Sequence, residues 1–417
     1  MDTSHLRRLA QVLVAVFLTL LISSCQTTST GPSNLKDVAK KGDPIAQYNL
    51  GVLHLEKETT QDKKLAVKYF REAAEQGYAV AQNNLGALYE KGEGVEQDYS
   101  EAFKWYMMAA KQGDAGAQNN LGNMYKQGRG VEQNNSEAFK WYMKAACQGN
   151  AVAQNNLGSL YHNGEGIDQN YGEAFKWYMK AAQQGDAIAQ LNLGTLYDKG
   201  QGVGQNYREA FKWFKKAAEQ GYAQAQFNLG SLYAQGEGVE QDYKEAFKWH
   251  SKSAQQGFAS AQNDLGWIYL NGLGITKDYE QAAKWFKIAA EQGDVKAQKS
   301  LAHMYYHGRG VEQDYLEAVR LYRMAAEQGD ARAQENLGEA YFYGIGVEQD
   351  YVEALTWFKK AAEKGDEDAQ TNLGVMYHQG KGVEQDYKEA VKWYKKAAEQ
   401  GSAPSQYNLG KAYAELV

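Results

Sequence analysis

A glycine-led block of 36 residues recurs along almost the whole chain, opening at Gly77, Gly113, Gly149, Gly185, Gly221, Gly257, Gly293, Gly329 and Gly365. A period of about 20 to 50 residues marks stacked units, none of which can bury its own apolar face alone. Counting glycine openings from Gly42 gives ten units over residues 42–400 and one final first helix over 401–417. The chain is constrained to be a repeat protein before any single residue is weighed.

Each unit contains two helical patterns. With the opening glycine as position 1, positions 5, 9, 12 and 13 are apolar (Ala117, Leu121, Met124, Tyr125), as are positions 26, 29, 30, 33 and 34 (Ala138, Trp141, Tyr142, Ala145, Ala146). Both spacings draw one stripe on a helix. A Gly-x-Gly such as Gly128, Arg129, Gly130 ends the first helix, because glycine takes the left-handed closing conformation freely. Asp98 three residues before Glu101, repeated at Asp242/Glu245 and Asp386/Glu389, has the form of a capping box that starts the second. The fold class is all-α, a stack of antiparallel helix pairs. The first unit is one residue short and has Glu58, Thr59, Thr60, Gln61 in place of Gly-x-Gly, as expected for a terminal unit.

The Ala-x-Ala-Gln-x-Asn-Leu-Gly, Gly-x-Gly-Val and Glu-Ala-x-Lys-Trp blocks resemble the Sel-1-like repeat, a relative of the tetratricopeptide repeat, over residues 42–417. The resemblance implies a right-handed α/α superhelical solenoid that serves as adaptor or scaffold, with the first helices on its concave surface. The cysteine pair that some bacterial members carry in each unit is absent, so nothing that rests on such disulfides carries over.

With 43% hydrophobic and 23% charged residues the composition is globular, and a net charge of -6 gives no basic footprint for nucleic acid. Residues 1–24 differ from the rest: Arg7 and Arg8 precede an apolar run from Leu9 to Ile22. The run reads as a secretory signal, too short for a membrane span. Its end, Leu21, Ile22, Ser23, Ser24, Cys25, resembles the lipobox of bacterial lipoproteins, which implies a lipidated Cys25 at the mature N-terminus. Gln26, where an aspartate would imply retention at the inner membrane, points to the outer membrane of a Gram-negative envelope. Residues 25–41 are then expected to be the lipidated cysteine and a flexible tether. Cys147 has no intramolecular partner and is expected to be exposed.

Residues that recur in every copy serve the fold, so site information lies where copies differ. First-helix positions 4, 7, 11 and 14 form one stripe opposite the apolar one. Position 14 becomes Leu270, Tyr306 and Phe342 in three successive units, and position 11 becomes Trp267, which alone among nine tryptophans leaves the core register. Lys296 and Arg332 at position 4, Lys299 at position 7 and His303 at position 11 add a cationic edge. Such a groove suits a peptide or protein segment with apolar anchors and acidic flanks; a glycan strand of the cell wall is another occupant to test.

Catalytic signals are sparse. His303 and His307 stand four apart on a helix but bring no third ligand, and no metal or cofactor is expected. The family link to penicillin binding directs attention to Ser33, Asn34, Leu35, Lys36, which spells Ser-x-x-Lys without a Lys-Thr-Gly, so an envelope hydrolase stands as the alternative function. The expected function is a non-catalytic scaffold, held to the envelope by its lipid and binding protein or peptide partners.

Overall fold

The computed structural model describes residues 32–415, with side chains from Leu35 onward. Two compact bodies divide at Tyr222 and Ala223. The first holds α1 (Pro32–Lys40) to α11 (Tyr207–Glu219), and the second α12 (Ala223–Gln235) to α22 (Ala403–Glu415). All described secondary structure is helical.

One repeat shows why each pair forms. In α6 (Ala115–Gln127), Asp114 caps the start by accepting from the Ala117 amide at 2.7 Å, and Gly128 closes the end at φ 67°. Ala117, Leu121 and Met124 are buried against Ala102, Tyr106 and Ala109 of the preceding second helix, while Ala138, Tyr142 and Ala145 of α7 (Asn135–Cys147) are buried with Ala153, Leu157 and Leu160 of the next repeat. Gly122 lets the pair close, since a methyl there would strike the Tyr142 ring. Emptying such a core, as in Leu121→Ala, costs about 2 to 5 kcal/mol.

The second glycine of each Gly-x-Gly has a different task. Gly130, also at φ 67°, lies against the Tyr99 carbonyl at the start of α5 (Tyr99–Lys111), so a side chain there would push two repeats apart. In the first unit Glu58 takes the positive φ, 57°, that glycine would otherwise relieve.

The capping box is only half formed. Asp98 accepts from the Ser100 and Glu101 amides at 2.8 and 3.0 Å, but the Glu101 carboxylate turns to Lys104 at 2.6 Å. The reason is that the Asp98 amide already donates to the Tyr89 carbonyl at 3.0 Å, leaving Glu101 nothing to receive.

Two glutamine systems tie the repeats. Position 36 donates to the position 6 glutamine of the same unit, as in Gln112 to Gln82 and Gln292 to Gln262 at 2.7 and 2.6 Å, and position 6 donates to the carbonyl that ends the preceding helix. The exception is the unit from Gly329, where Lys364 replaces glutamine, bonds the Gly329 carbonyl at 2.6 Å and leaves buried Gln334 Oε1 without a partner. Position 21 glutamines donate to the position 14 carbonyl, as in Gln97 to Glu90 and Gln313 to Tyr306 at 2.8 Å. The recurrent amides are thus bonds of the stack.

Second-helix lysines are likewise structural. Lys176 meets Glu173 at 2.6 Å, and Lys180 lies 3.9 Å over the Trp177 ring.

One expectation is corrected at the N-terminal end. Residues 32–40, placed within the 25–41 tether, form α1, because Leu35, Val38 and Ala39 are spaced to pack on Ala46 and Leu50 of α2 (Pro44–Leu55). The signal segment 1–24 and Cys25 lie outside the described residues, as does the side chain of Ser33.

Candidate binding cleft

A cleft of about 510 Å³ opens in the second body across the first helices of three successive repeats: α14 (Ala259–Asn271), α16 (Val295–His307) and α18 (Ala331–Tyr343). Trp267 and Leu270 stand on one side, Lys299 and His303 in the middle, and Arg332 on the other. Five of the eight groove residues read from the sequence therefore converge. Trp267 is 45% exposed, its ring edge-on to Phe286 at 6.2 Å.

Lys296, Tyr306 and Phe342 do not line the cleft. Lys296 is exposed beside it in the chain, but Tyr306 and Phe342 are half-buried. Position 14 sits in the last turn of its helix and leans on the tyrosine that opens the next one: Tyr306 meets Tyr315 at 5.1 Å, and Phe342 meets Tyr351 at 5.3 Å. His162 and His378 make the same contact with Tyr171 and Tyr387, so this part of the stripe is a packing seat rather than a wet surface.

Three departures from the repeat coincide with the cleft. Ala302 stands where most units have glycine, and a methyl at that position comes within 3 Å of the facing ring in its neighbours. The ring facing Ala302, Tyr322, lines the cleft wall. Ser300 replaces the asparagine that reaches the preceding unit, as Asn156 reaches Asn119 at 3.0 Å, and Asn263 Oδ1 is left buried and unpartnered. Lys277 replaces the position 21 glutamine and also lines the cleft. Sequence reasoning passed over Lys277, Tyr322 and Arg309; a break in the position 21 glutamines was the signal that could have found the first.

The cationic edge is less free than its composition suggests. Lys299 is held by Asp330 at 2.8 Å, and Arg332 by Asp368, with Asp366 and Glu335 each at 3.8 Å. Burial, together with Glu339 and Asp366, pushes the Glu335 carboxyl up to about 8, so it carries its proton at neutral pH. Burial, then His307 and Arg309, holds the His303 ring below its usual range and leaves it neutral. The His303 and His307 rings stand 4.2 Å apart, and among the described residues no group of three His, Cys, Asp or Glu gathers around a metal position. Cys147 is exposed.

The Sel1 repeat model matches ten consecutive segments from residue 44 to residue 402, including 259–294, 295–330 and 331–366 around the cleft. The chain belongs to the Sel1 repeat family. It is similar to the crystal structure of c5321, a protective antigen present in uropathogenic Escherichia coli strains displaying an SLR fold, at 42% identity and TM-score 0.82 over 92% of this chain and 83% of that one. It is also similar to a Sel1 repeat protein from Oxalobacter formigenes, at 34% identity and TM-score 0.57 over 74% of this chain and 90% of that one. Among curated proteins no match is found. Sel1 repeat proteins are generally protein-interaction scaffolds, and their fold is typically non-catalytic.

Proposed function

We propose that this Sel1 repeat protein is a scaffold of the bacterial envelope, held by lipid on Cys25 to the outer membrane, which captures protein partners on its first-helix face. The observation that carries the binding assignment is the cleft itself. Its lining includes no carboxylate, and an exposed tryptophan stands at its mouth in the only repeat that carries one at that position. Large exposed aromatic groups beside a pocket are the usual composition of a binding hot spot. The lipobox-like end of the leader supports the address, and so does the protective-antigen character of the relative from uropathogenic Escherichia coli.

The test compares partners captured from the native envelope by the wild-type protein and by Trp267→Ala. Partners should be lost while far-UV circular dichroism stays the same, because Trp267 is not part of the buried core. Retention of every partner by the variant removes the cleft from the function.

A further inference from the structure

The four cations of the cleft divide into two kinds. Lys299 and Arg332 are already answered by carboxylates on the following repeats. Lys277 and Arg309, on the Gly-x-Gly loops that follow α14 and α16, form no ion pair among the described residues.

Comparison with other repeats shows what each is missing. At position 21 every other unit from Gly77 onward has a glutamine that clamps the position 14 carbonyl, whereas Lys277 makes no such bond and lies 5.7 Å over the Tyr279 ring. The substitution exchanges a structural hydrogen bond for this ring contact at the unit whose first helix carries Trp267. Arg309 occupies the place that Arg129 holds five repeats earlier, and Arg129 is answered by Glu90 of its preceding repeat at 3.9 Å. The residue corresponding to Glu90 is Leu270. An arginine whose partner has become an apolar wall of a pocket is left to find its carboxylate elsewhere.

We infer that the cleft takes a protein segment in which an apolar side chain is adjacent to an acidic one. The apolar group enters between Trp267 and Leu270, and the acidic group is received by Lys277 and Arg309, supplying from the partner the carboxylate that Glu90 supplies within the chain. This rests on the cleft being the binding site. Arginine can grip a carboxylate with two parallel N–H donors, and such charge-assisted bonds are about twice as strong as neutral ones. The unpaired cations at the rim also attract the acidic segment before contact, an effect that salt weakens.

The experiment uses dye-labelled Gly-Ser peptides carrying a central Leu-Glu, Leu-Gln or Ala-Glu pair, with fluorescence anisotropy on the complete mature protein. The wild type should prefer Leu-Glu over Leu-Gln about tenfold, which is about 1.4 kcal/mol, and the preference should shrink with salt. In the double variant Lys277→Gln, Arg309→Gln, where the glutamine at 277 restores the clamp found in other repeats, the two peptides should bind alike. Leu270→Glu should also erase the preference, by answering Arg309 from within. Equal binding of Leu-Glu and Leu-Gln by the wild type overturns the inference, as does a preference that survives the double variant. If Trp267→Ala still weakens both Leu peptides in that case, the cleft remains the site and only its acidic selectivity falls. If no peptide responds to Trp267→Ala or to the charge variants, both readings fall.

Discussion

Lys364→Gln should make the protein more stable, although it adds no apolar contact and removes a surface charge. Gln334 Oε1 is buried without a hydrogen-bond partner, while its amide nitrogen donates to the Ala326 carbonyl at 2.9 Å. A glutamine at 364 supplies the missing donor. It need not surrender the bond Lys364 now makes to the Gly329 carbonyl, because Gln220 and Gln400 each reach the corresponding glycine carbonyl at 3.1 Å while bonding their ladder partners at 2.8 and 2.9 Å. A neutral hydrogen bond contributes about 0.5 to 1.5 kcal/mol net, and an unpaired buried acceptor costs about 1 to 3 kcal/mol. Lys364 is exposed, so the loss of its charge offsets a few tenths of a kcal/mol, roughly. The expected gain is therefore about 1 to 2 kcal/mol.

Urea unfolding followed by far-UV circular dichroism measures it. In a stack, stability is close to a sum over units and their interfaces. The gain should thus be concentrated in slower amide exchange between residues 326 and 362 rather than spread along the chain. The reciprocal change Gln292→Lys should lose a similar amount, since it strips Gln262 of its donor. An unchanged or lowered urea midpoint for Lys364→Gln, with exchange unaltered near Gln334, would refute the view that the glutamine ladder holds the repeats together.

Two other outcomes are expected. His250 occupies a ring position filled by tyrosine or phenylalanine in other units, is buried, and burial lowers its pKa to about 4. It is neutral in the folded state and titrates near 6.5 once unfolded, so the stability it leaves intact at neutral pH is lost as pH falls toward about 4; the loss between pH 7 and pH 5 is about 2 kcal/mol. His250→Phe should remove that slope, measured as urea midpoints at the two pH values, and an identical slope in the variant would show that the acid sensitivity lies elsewhere. For the anchor, Cys25→Ala should abolish metabolic lipid labelling and release the protein from the membrane fraction; continued labelling would rule Cys25 out as the lipidated residue.

The repeat made the fold legible because its recurring residues are caps, turns and small-to-large core pairs, each with a local cause. Gly122 beneath Tyr142 and Asp114 before Ala117 follow the same chemistry in every copy, so one unit explains the rest. Part of the cleft lining was legible for the same reason in reverse: Trp267 breaks a pattern that eight other tryptophans keep. Tyr306 and Phe342 were misread because a helical wheel treats position 14 as solvent-facing, whereas the opening tyrosine of the next helix folds over it.

By itself, then, the sequence determined an all-α stack of Sel1 repeats, the order of the paired helices within them, and the units whose residues depart from the repeat pattern. Periodicity does this because stacked units must present the same apolar faces to one another. Only the tertiary structure decided which cations are free. Lys299 and Arg332 look as available as Lys277 and Arg309 in one dimension, yet the first two meet carboxylates about one repeat further along and the second two do not. Charge pairing between repeats depends on distances of a few ångströms across neighbouring helices, which a one-dimensional pattern does not contain.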